Sequence, residues 1–240
     1  MTRRRPTPAL PLLDLISFDL DGTLVDTADE IVEAAQRTLD HFGLPRVADH
    51  AVVALIGHGT RALMTGVLAR VERECPSLHV SIDAAMPIFD THYAATTGTT
   101  ARPYDGCLEM LEGLRAHGLH LACVTNKEAR HTHRVLEATG LAGRFDLVVG
   151  GDTLAVKKPH GDVLRTVALR LGVSPMQHVA HVGDSSIDIA CAREAGAVAW
   201  AVPWGYNGGH PIADSEPDLV FDDFAQLLRQ VTQAQPPLRR

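Results

Sequence analysis

The sequence predicts an α/β protein with a three-layer, Rossmann-like, mainly parallel sheet and one inserted small α-helical domain. Three observations predict this class: an isolated apolar run near the N-terminus, a following stretch with helical patterns only, and a second half in which apolar runs and helical patterns alternate. Strand–helix–strand repeats need right-handed crossover connections, which make neighbouring strands parallel. The sheet domain is therefore predicted to be discontinuous, with boundaries at 1–26 and 102–240.

The first elements along the chain are a buried strand and a helix. Residues 12–19 are an apolar run that ends in acidic residues, which is typical of a strand that leads into a loop. Apolar residues recur at helical spacing over 27–42, and residues 46–101 add three or four helical patterns without a convincing buried strand. Residues 27–101 are therefore predicted to form the helical insert. The basic, proline-interrupted residues 1–11 predict a disordered tail.

Helical patterns and apolar runs alternate regularly after residue 102. The predicted helices cover 107–116, 128–139, 162–171, 186–195 and 224–231. The predicted strands cover 119–125, 145–149, 178–183, 198–202 and 219–221.

Composition excludes several classes of protein. The chain has 240 residues, 45% of them hydrophobic, which is enough to bury a core. The formal net charge of −7 disfavours binding to nucleic acid, and the absence of about 18 consecutive apolar residues disfavours a membrane span. The four cysteines form no C-x-x-C pair, so we expect neither a zinc site nor a disulfide framework, and a cytoplasmic location.

Polar side chains follow four of the predicted strands. Asp19 and Asp21 follow the first, Thr125-Asn-Lys127 the second, Asp152 the third, and Gly183-Asp-Ser-Ser-Ile-Asp188 the fourth. Ligands of open parallel sheets bind at the carboxyl ends of the strands, so these groups are expected to lie together. Packed carboxylates repel one another unless a cation is present, and hard oxygen ligands suit Mg²⁺.

Four segments resemble, in order and spacing, the motifs of the haloacid dehalogenase-like phosphatases. These segments are Asp19-Leu-Asp-Gly-Thr-Leu-Val-Asp26, Thr125-Asn126, Lys158-Pro159 and Gly183-Asp-Ser-Ser-Ile-Asp188. Within that superfamily, the bacterial phosphoglycolate phosphatases are most similar, because of Arg102-Pro-Tyr-Asp-Gly106, Lys157-Lys-Pro-His160 and Trp204-Gly-Tyr-Asn207. The chain departs from the family at Gly161, where a proline is usual.

The resemblance implies a role for each residue that matches a motif. Asp19 is the expected nucleophile, which forms an aspartyl-phosphate, and Asp21 is the expected general acid/base. Lys158 would add positive charge, and the Thr125 hydroxyl and the Asn126 backbone N–H would hold phosphoryl oxygens. We favour Lys158 over Lys157 because it directly precedes proline, as in the family.

The resemblance also implies an Mg²⁺ site. Its expected ligands are the carboxylates of Asp19 and Asp184 and the backbone carbonyl of Asp21. Asp188, one turn along the following helix, would be a ligand through water or would orient Lys158.

The position of the insert matches the helical cap of this superfamily, which closes over a small substrate. Gly57-His-Gly-Thr-Arg61 resembles the cap loop that meets the substrate, which makes His58 and Arg61 candidate substrate ligands. Arg61 could pair with a substrate carboxylate, or it could be a surface residue at a helix start. The segment 46–101 has no lysine, which argues against a phosphonate hydrolase that uses a Schiff base.

Four further features have simpler interpretations. His131 and His133 lie two apart on a predicted helix, so we expect surface histidines and not a metal pair. Asp152 is interpreted as a loop acid and Asp26 as an acid at a helix N-terminus. The loop Trp204-Gly-Tyr-Asn207 either packs against the core or forms a rim that faces the cap.

The sequence as a whole predicts an Mg²⁺-dependent phosphomonoester hydrolase acting on a small phosphorylated metabolite. The expected substrate is 2-phosphoglycolate, which would give glycolate and phosphate. The alternatives are another small substrate, such as a sugar or amino-sugar phosphate or pyrophosphate, a phosphosugar mutase, and a non-catalytic phosphometabolite-binding module. We expect a monomer or homodimer that binds neither nucleic acid nor membrane.

Overall fold

The computed structural model describes residues 12–234, and the predicted tail at 1–11 lies outside them. A six-stranded sheet forms the centre, in the order β5-β4-β1-β6-β7-β8, and every neighbouring pair in it is parallel. The strands are β1 Leu15–Phe18, β2 Val25–Asp26, β3 Arg102–Pro103, β4 His120–Val124, β5 Leu147–Val149, β6 Val179–Gly183, β7 Val198–Ala201 and β8 Leu219–Val220. The predicted α/β class with a parallel sheet is confirmed.

Helices follow the strands as the alternating pattern predicts. They are α1 Ala28–His41, α2 Asp49–Val53, α3 Thr60–Glu74, α4 Ile82–Thr96, α5 Cys107–Ala116, α6 Ala129–Ala138, α7 Asp162–Arg170, α8 Ser186–Ala195 and α9 Phe224–Ala234. Two short 3₁₀ helices at Met176–His178 and Ile212–Ser215 were not predicted. No helix within residues 12–234 is both long and apolar enough to span a bilayer.

The sheet is buried on both faces, which explains the unbroken apolar runs of its central strands. In β1, Ile16 and Phe18 belong to a core cluster with α5, α6 and α9, whereas Leu15 points to the other face and joins α7 and α8. The alternation of side chains along a strand divides the two cores in this way. The strand order of the parallel sheet brings the carboxyl ends of β4, β1 and β6 side by side.

Helices α1 to α4 pack around a core of their own. The chain enters this group after β2 and leaves it before β3, and these two strands pair antiparallel, Val25 with Pro103 and Asp26 with Arg102. The sequence did not predict this ribbon, because two residues per strand give no periodicity. The ribbon lies at the predicted boundaries of the insert.

His131 corrects one prediction, since it was expected at the surface and is only 2% exposed. It lies on the side of α6 that faces α4. Its ring centroid lies 4.3 Å from that of Tyr93, and its Nδ1 lies 3.1 Å from Thr97 Oγ1. His133, two residues on, is exposed as predicted. The helical spacing correctly separated the two rings, but it could not show that another helix covers one of them.

Candidate active site

The predicted site residues meet at the carboxyl edge of the sheet. Asp19 follows β1, Thr125 follows β4 and Asp184 follows β6, and these three strands are neighbours. The ladder continues past the strand ends, because Asp19 N donates to Val182 O and Thr125 N donates to Val149 O, both at 2.9 Å. The sheet itself therefore fixes the positions of these side chains.

Asp19 is buried and is held through one of its two carboxylate oxygens. Its Oδ1 accepts from Leu20 N at 2.7 Å and lies 2.9 Å from Lys158 Nζ. Burial raises the pKa of Asp19 to about 7, although the Lys158 ammonium opposes that shift. These contacts orient the carboxylate, and they leave Oδ2 without a hydrogen bond among residues 12–234.

Lys158 bridges two acids in the interior. Its Nζ also contacts Asp188 Oδ1 at 2.7 Å, and Asp188 Oδ2 accepts from Ser185 N at 3.1 Å and from Ser185 Oγ at 2.7 Å. The buried ring of His181 lies 3.3 Å from Asp188 Oδ1. Burial alone would raise the pKa of Asp188, but the Lys158 ammonium and the His181 hydrogen bond hold it below its usual range. Both oxygens of Asp188 are thus already occupied, which favours the interpretation that it orients Lys158.

Asp21 lies beside a second buried lysine. Its Oδ1 accepts from Thr27 Oγ1 at 2.7 Å and lies 2.9 Å from Lys127 Nζ. The Lys127 ammonium also donates to the Tyr93 hydroxyl and lies 4.9 Å from the centroid of the Tyr93 ring. Burial would lower the pKa of Lys127, but the negative charge of Asp21 raises it above its usual value. Each of the two proposed catalytic acids therefore lies beside a different buried lysine.

Three buried carboxylates form a candidate metal centre. One oxygen each from Asp19, Asp184 and Asp188 can be chosen so that all three lie within 4.8 Å of one another. Asp184 accepts from Thr23 Oγ1 at 2.8 Å and from Tyr206 N at 2.6 Å. Burial, together with the charges of Asp188 and Asp19, raises the pKa of Asp184 to about 8. A divalent cation would relieve this repulsion, so the all-oxygen cluster fits Mg²⁺.

The backbone after Asp21 reaches the same cluster. A Cβ atom built on Gly22 would lie 2.6 Å from Asp184 Oδ2, and the φ angle of Gly22 is +80°. Only glycine fits so close to a carboxylate in this left-handed conformation. This approach is compatible with the predicted contribution of the Asp21 carbonyl to the metal centre.

A cavity that is partly open to solvent lies between the sheet edge and the insert. The sheet edge contributes Asp19, Asp21, Thr125, Asn126 and Lys127, and the insert contributes Ile31, Ile56, Gly57, Gly59, Thr60, Leu63 and Tyr93. Asn126 Nδ2 donates to Gly57 O and to Lys158 O, both at 2.9 Å.

Comparison with known proteins identifies the family. The sequence model of the haloacid dehalogenase-like hydrolases matches residues 16–202. The chain belongs to this family. It is similar to a phosphoglycolate phosphatase of Haemophilus influenzae, with 37% identity over 89% of this chain and 96% of the relative. It is also similar to one of Thiobacillus denitrificans, with 34% identity over 94% of this chain and 98% of the relative.

A solved structure agrees with these sequence relatives. The predicted phosphoglycolate phosphatase of Haemophilus somnus superposes with a TM-score of 0.84 at 32% identity, covering 90% of this chain and 97% of the other. The predicted family and the predicted class of enzyme, a phosphatase, are confirmed.

Two predicted substrate ligands of this haloacid dehalogenase-like hydrolase lie away from the cavity. Arg61 is exposed and pairs with Asp83 at 2.5 Å, and it does not line the cavity. His58 is also exposed, and it lines a separate cavity that includes Tyr206. Lys157 donates to the His58 carbonyl at 2.8 Å, so this lysine contacts the insert while Lys158 contacts Asp19.

The remaining polar predictions concern the edge of the site. Asp26 accepts from Ala28 N at 3.2 Å at the start of α1, as expected for an acid at a helix N-terminus. Asp152 lies in the loop after β5, as expected, and its carboxylate accepts from Ala129 N at 2.7 Å at the start of α6. Tyr206 contacts the start of α1, because its hydroxyl accepts from Ala28 N and donates to Asp26. The loop of Tyr206 thus reaches from the candidate metal centre to the point where the insert begins.

The sequence indicated no role for Lys127 or Tyr93. One signal was available for Lys127: the chain has only three lysines, at 127, 157 and 158, and all three lie at this site. No comparable signal existed for Tyr93, because its apolar helical context resembles that of any core residue.

Proposed function

We propose that this hydrolase is an Mg²⁺-dependent phosphomonoesterase that acts through an aspartyl-phosphate on 2-phosphoglycolate. The observation that carries the proposal is the pair Asp19 and Asp21 in one cavity, each beside its own lysine. One carboxylate can attack phosphorus while the other transfers the proton. The substrate is inferred from relatives named phosphoglycolate phosphatase over most of the chain.

The first step transfers the phosphoryl group to the enzyme. A carboxylate oxygen of Asp19 attacks phosphorus, and the bond between phosphorus and the ester oxygen breaks. The leaving oxygen takes a proton from the Asp21 carboxyl group, which gives glycolate. Lys158, at 2.9 Å from Asp19, offsets negative charge as the two anions approach each other.

The second step returns the enzyme to its initial state. Asp21, now ionised, removes a proton from water, and the oxygen of that water attacks the phosphorus of the aspartyl-phosphate. The bond from phosphorus to Asp19 breaks, which releases phosphate. Throughout, the Thr125 hydroxyl and the Asn126 backbone N–H would hold phosphoryl oxygens at the carboxyl end of β4.

Asp19, Asp184 and the carbonyl of Asp21 would hold Mg²⁺. The bound ion supplies positive charge that neutralises the phosphoryl group and the nearby acids. Asp188 holds Lys158 in place, since its two oxygens already accept four hydrogen bonds.

We also propose that residues 27–101 act as a cap over a core of 1–26 and 102–240. Three polar contacts join the segment 57–60 to the sheet edge: Asn126 to Gly57 O, Lys157 to His58 O, and Thr60 Oγ1 to Glu128. A closed cap would keep bulk water away during phosphoryl transfer.

The four free cysteines are compatible with a reducing cytoplasm.

Phosphate release with Mg²⁺ tests the proposal across 2-phosphoglycolate, sugar phosphates, pyrophosphate and p-nitrophenyl phosphate. We expect kcat/KM for 2-phosphoglycolate to exceed the others at least about tenfold, which is about 1.4 kcal/mol. Asp19→Asn should lower kcat at least about a thousandfold, because the amide is a poor nucleophile. Asp152→Asn, which removes a charge at the start of α6, is the matched control and should change kcat less than about threefold.

The outcomes separate the parts of the proposal. Turnover without a preference for 2-phosphoglycolate would keep the mechanism and reject the substrate. Normal turnover by Asp19→Asn would reject the aspartyl-phosphate. Phosphate binding without turnover of any ester would favour the non-catalytic binding module.

A further inference from the structure

Lys127 is the cation that the proposed chemistry leaves without a role. Lys158 contacts the nucleophile and Lys157 contacts the insert, whereas Lys127 lines the cavity itself. Among the residues that line this cavity, it is the one with a positively charged side chain. Arg61, the expected partner for a substrate carboxylate, is paired with Asp83 outside the cavity.

The ammonium of Lys127 has one N–H donor that no hydrogen bond within residues 12–234 uses. It is 4% exposed, and it contacts Asp21 Oδ1 at 2.9 Å and the Tyr93 hydroxyl. An ammonium carries three N–H donors, and the hydrogen bonds within residues 12–234 account for two of them. A buried cation with one free donor at a cavity wall is well suited to bind an anion.

We propose that Lys127 determines specificity by binding a carboxylate of the substrate, one placed next to the ester oxygen that Asp21 protonates. The inference rests on the proposed phosphomonoesterase reaction and identifies its substrate class. That class is small phosphomonoesters that carry a carboxylate on the carbon attached to the ester oxygen.

The distances allow this arrangement. Asp21 must come within about 2.6–3.2 Å of the ester oxygen to give it a proton. The carboxylate carbon of 2-phosphoglycolate is two bonds from that oxygen, and Lys127 Nζ lies 2.9 Å from Asp21. The cation is therefore close enough to reach the carboxylate of such a substrate, whereas Lys158 lies beside Asp19 and Asp188.

The other walls of the cavity strengthen the preference. Ile31, Ile56 and Leu63 supply apolar surface, which limits the competition of water for the ion pair. Helix α3 begins at Thr60 on this cavity, so the positive end of its dipole adds to the charge of Lys127. A substrate with a methyl group in place of the carboxylate forms no ion pair with Lys127 and gains nothing from the helix dipole.

The test compares 2-phosphoglycolate with ethyl phosphate, in which a methyl group replaces the carboxylate. The measured quantity is the ratio of the two kcat/KM values, because losses in folding or in Asp21 function affect both substrates equally. We expect Lys127→Met to lower this ratio at least about tenfold, mainly through KM for 2-phosphoglycolate. Arg170→Met, which removes a charge from an exposed residue of α7, should leave the ratio unchanged.

Two further measurements guard against a folding defect. Lys127→Gln keeps hydrogen-bonding groups near Tyr93 and Asp21 without the charge, and it should lower the ratio as Lys127→Met does. Inhibition of wild type and of both variants by 3-phosphonopropionate and propylphosphonate, which are not hydrolysed, should show the same loss of preference in Ki.

Three results would contradict the inference. Equal losses for both esters in the Lys127 variants would make Lys127 a positioning residue for Asp21. A wild-type enzyme that hydrolyses both esters equally would reject carboxylate selection while the proposed catalysis stands. A wild-type enzyme that hydrolyses neither ester nor any other phosphomonoester would reject the proposed function and this inference with it.

Discussion

At the scale of single residues, His131 links a pKa to stability. Burial, followed by the neighbouring positive charges of Arg130 and Lys127, lowers the pKa of His131 to about 4. In the unfolded chain its pKa is near 6.5. Between these two values the unfolded chain binds a proton that the folded protein does not, so stability falls as the pH is lowered from about 6.5 to 4.

His131→Gln should weaken this acid sensitivity. Wild type should lose up to about 3 kcal/mol of unfolding free energy through this one group between pH 7 and 4, since each pKa unit corresponds to about 1.4 kcal/mol. His131→Gln should lose less over the same range, and the exposed His133→Gln should follow wild type. Urea unfolding at several pH values measures the difference, and identical pH profiles for the two variants would contradict the assignment.

Single residues also show how much of the site could be predicted from the sequence. Asp19, Asp21 and Asp184 follow strands of one parallel sheet, so their meeting followed from chain order alone. The contact of Lys127 with Tyr93 joins the sheet edge to the fourth helix of the insert. Such a contact depends on how two bodies of the fold pack, for which periodicity gives no information.

At the scale of elements, the loop after β7 supports the acidic cluster of Asp19, Asp184 and Asp188. Tyr206 N donates to Asp184 Oδ2, and a Cβ atom on Gly205 would lie 2.2 Å from that same oxygen. Trp204 anchors the loop from the other side, because its indole N–H donates to Thr23 O at 3.2 Å. The loop therefore acts as a wall that fixes the rotamer of Asp184.

Gly205→Ala should weaken the metal site through this contact. The added methyl group must displace Asp184, so we expect the Mg²⁺ concentration for half-maximal activity to rise at least about tenfold. Gly113→Ala is the matched control: its Cβ would meet only the side-chain end of Leu228, which is flexible, and it should leave the Mg²⁺ requirement unchanged. An unchanged requirement in Gly205→Ala as well would show that the loop does not position Asp184.

The elements themselves were largely predictable. The observed bounds of α5 and α8 equal the predicted ones, since a positive-φ glycine lies next to each helix, Gly106 before α5 and Gly196 after α8. The ribbon of β2 and β3 and the two 3₁₀ helices were missed because they have two to four residues each. Segments that short carry no periodic signal, and long-range pairing decides their structure.

At the scale of the whole molecule, the acidic centre joins segments that are distant in sequence. Asp19 follows β1, whereas Asp184 and Asp188 lie more than 160 residues later in the loop after β6 and in α8. A cation held by such groups binds the folded protein and not the unfolded chain, so it stabilises the entire fold by mass action. Such an ion would therefore couple the active site to the global stability.

We expect Mg²⁺ to raise the Tm, and to raise it more at pH 8.5 than at pH 6. At about 100 times Kd the ion should add about 2.7 kcal/mol, which is roughly 5–10 °C for a protein of this size. Without the ion, burial raises the pKa of Asp19 to about 7 and that of Asp184 to about 8. Binding must then displace protons below those values, so affinity grows as the pH rises through this window.

Scanning calorimetry with and without Mg²⁺ at the two pH values measures this coupling. Asp184→Asn should remove most of the Tm shift, and Asp152→Asn should keep it, because Asp152 lies at the start of α6 and not in the cluster. A Tm shift that is equal at both pH values would mean that Asp19 and Asp184 are already ionised without the ion. A shift that survives in Asp184→Asn would place the cation elsewhere on this acidic protein.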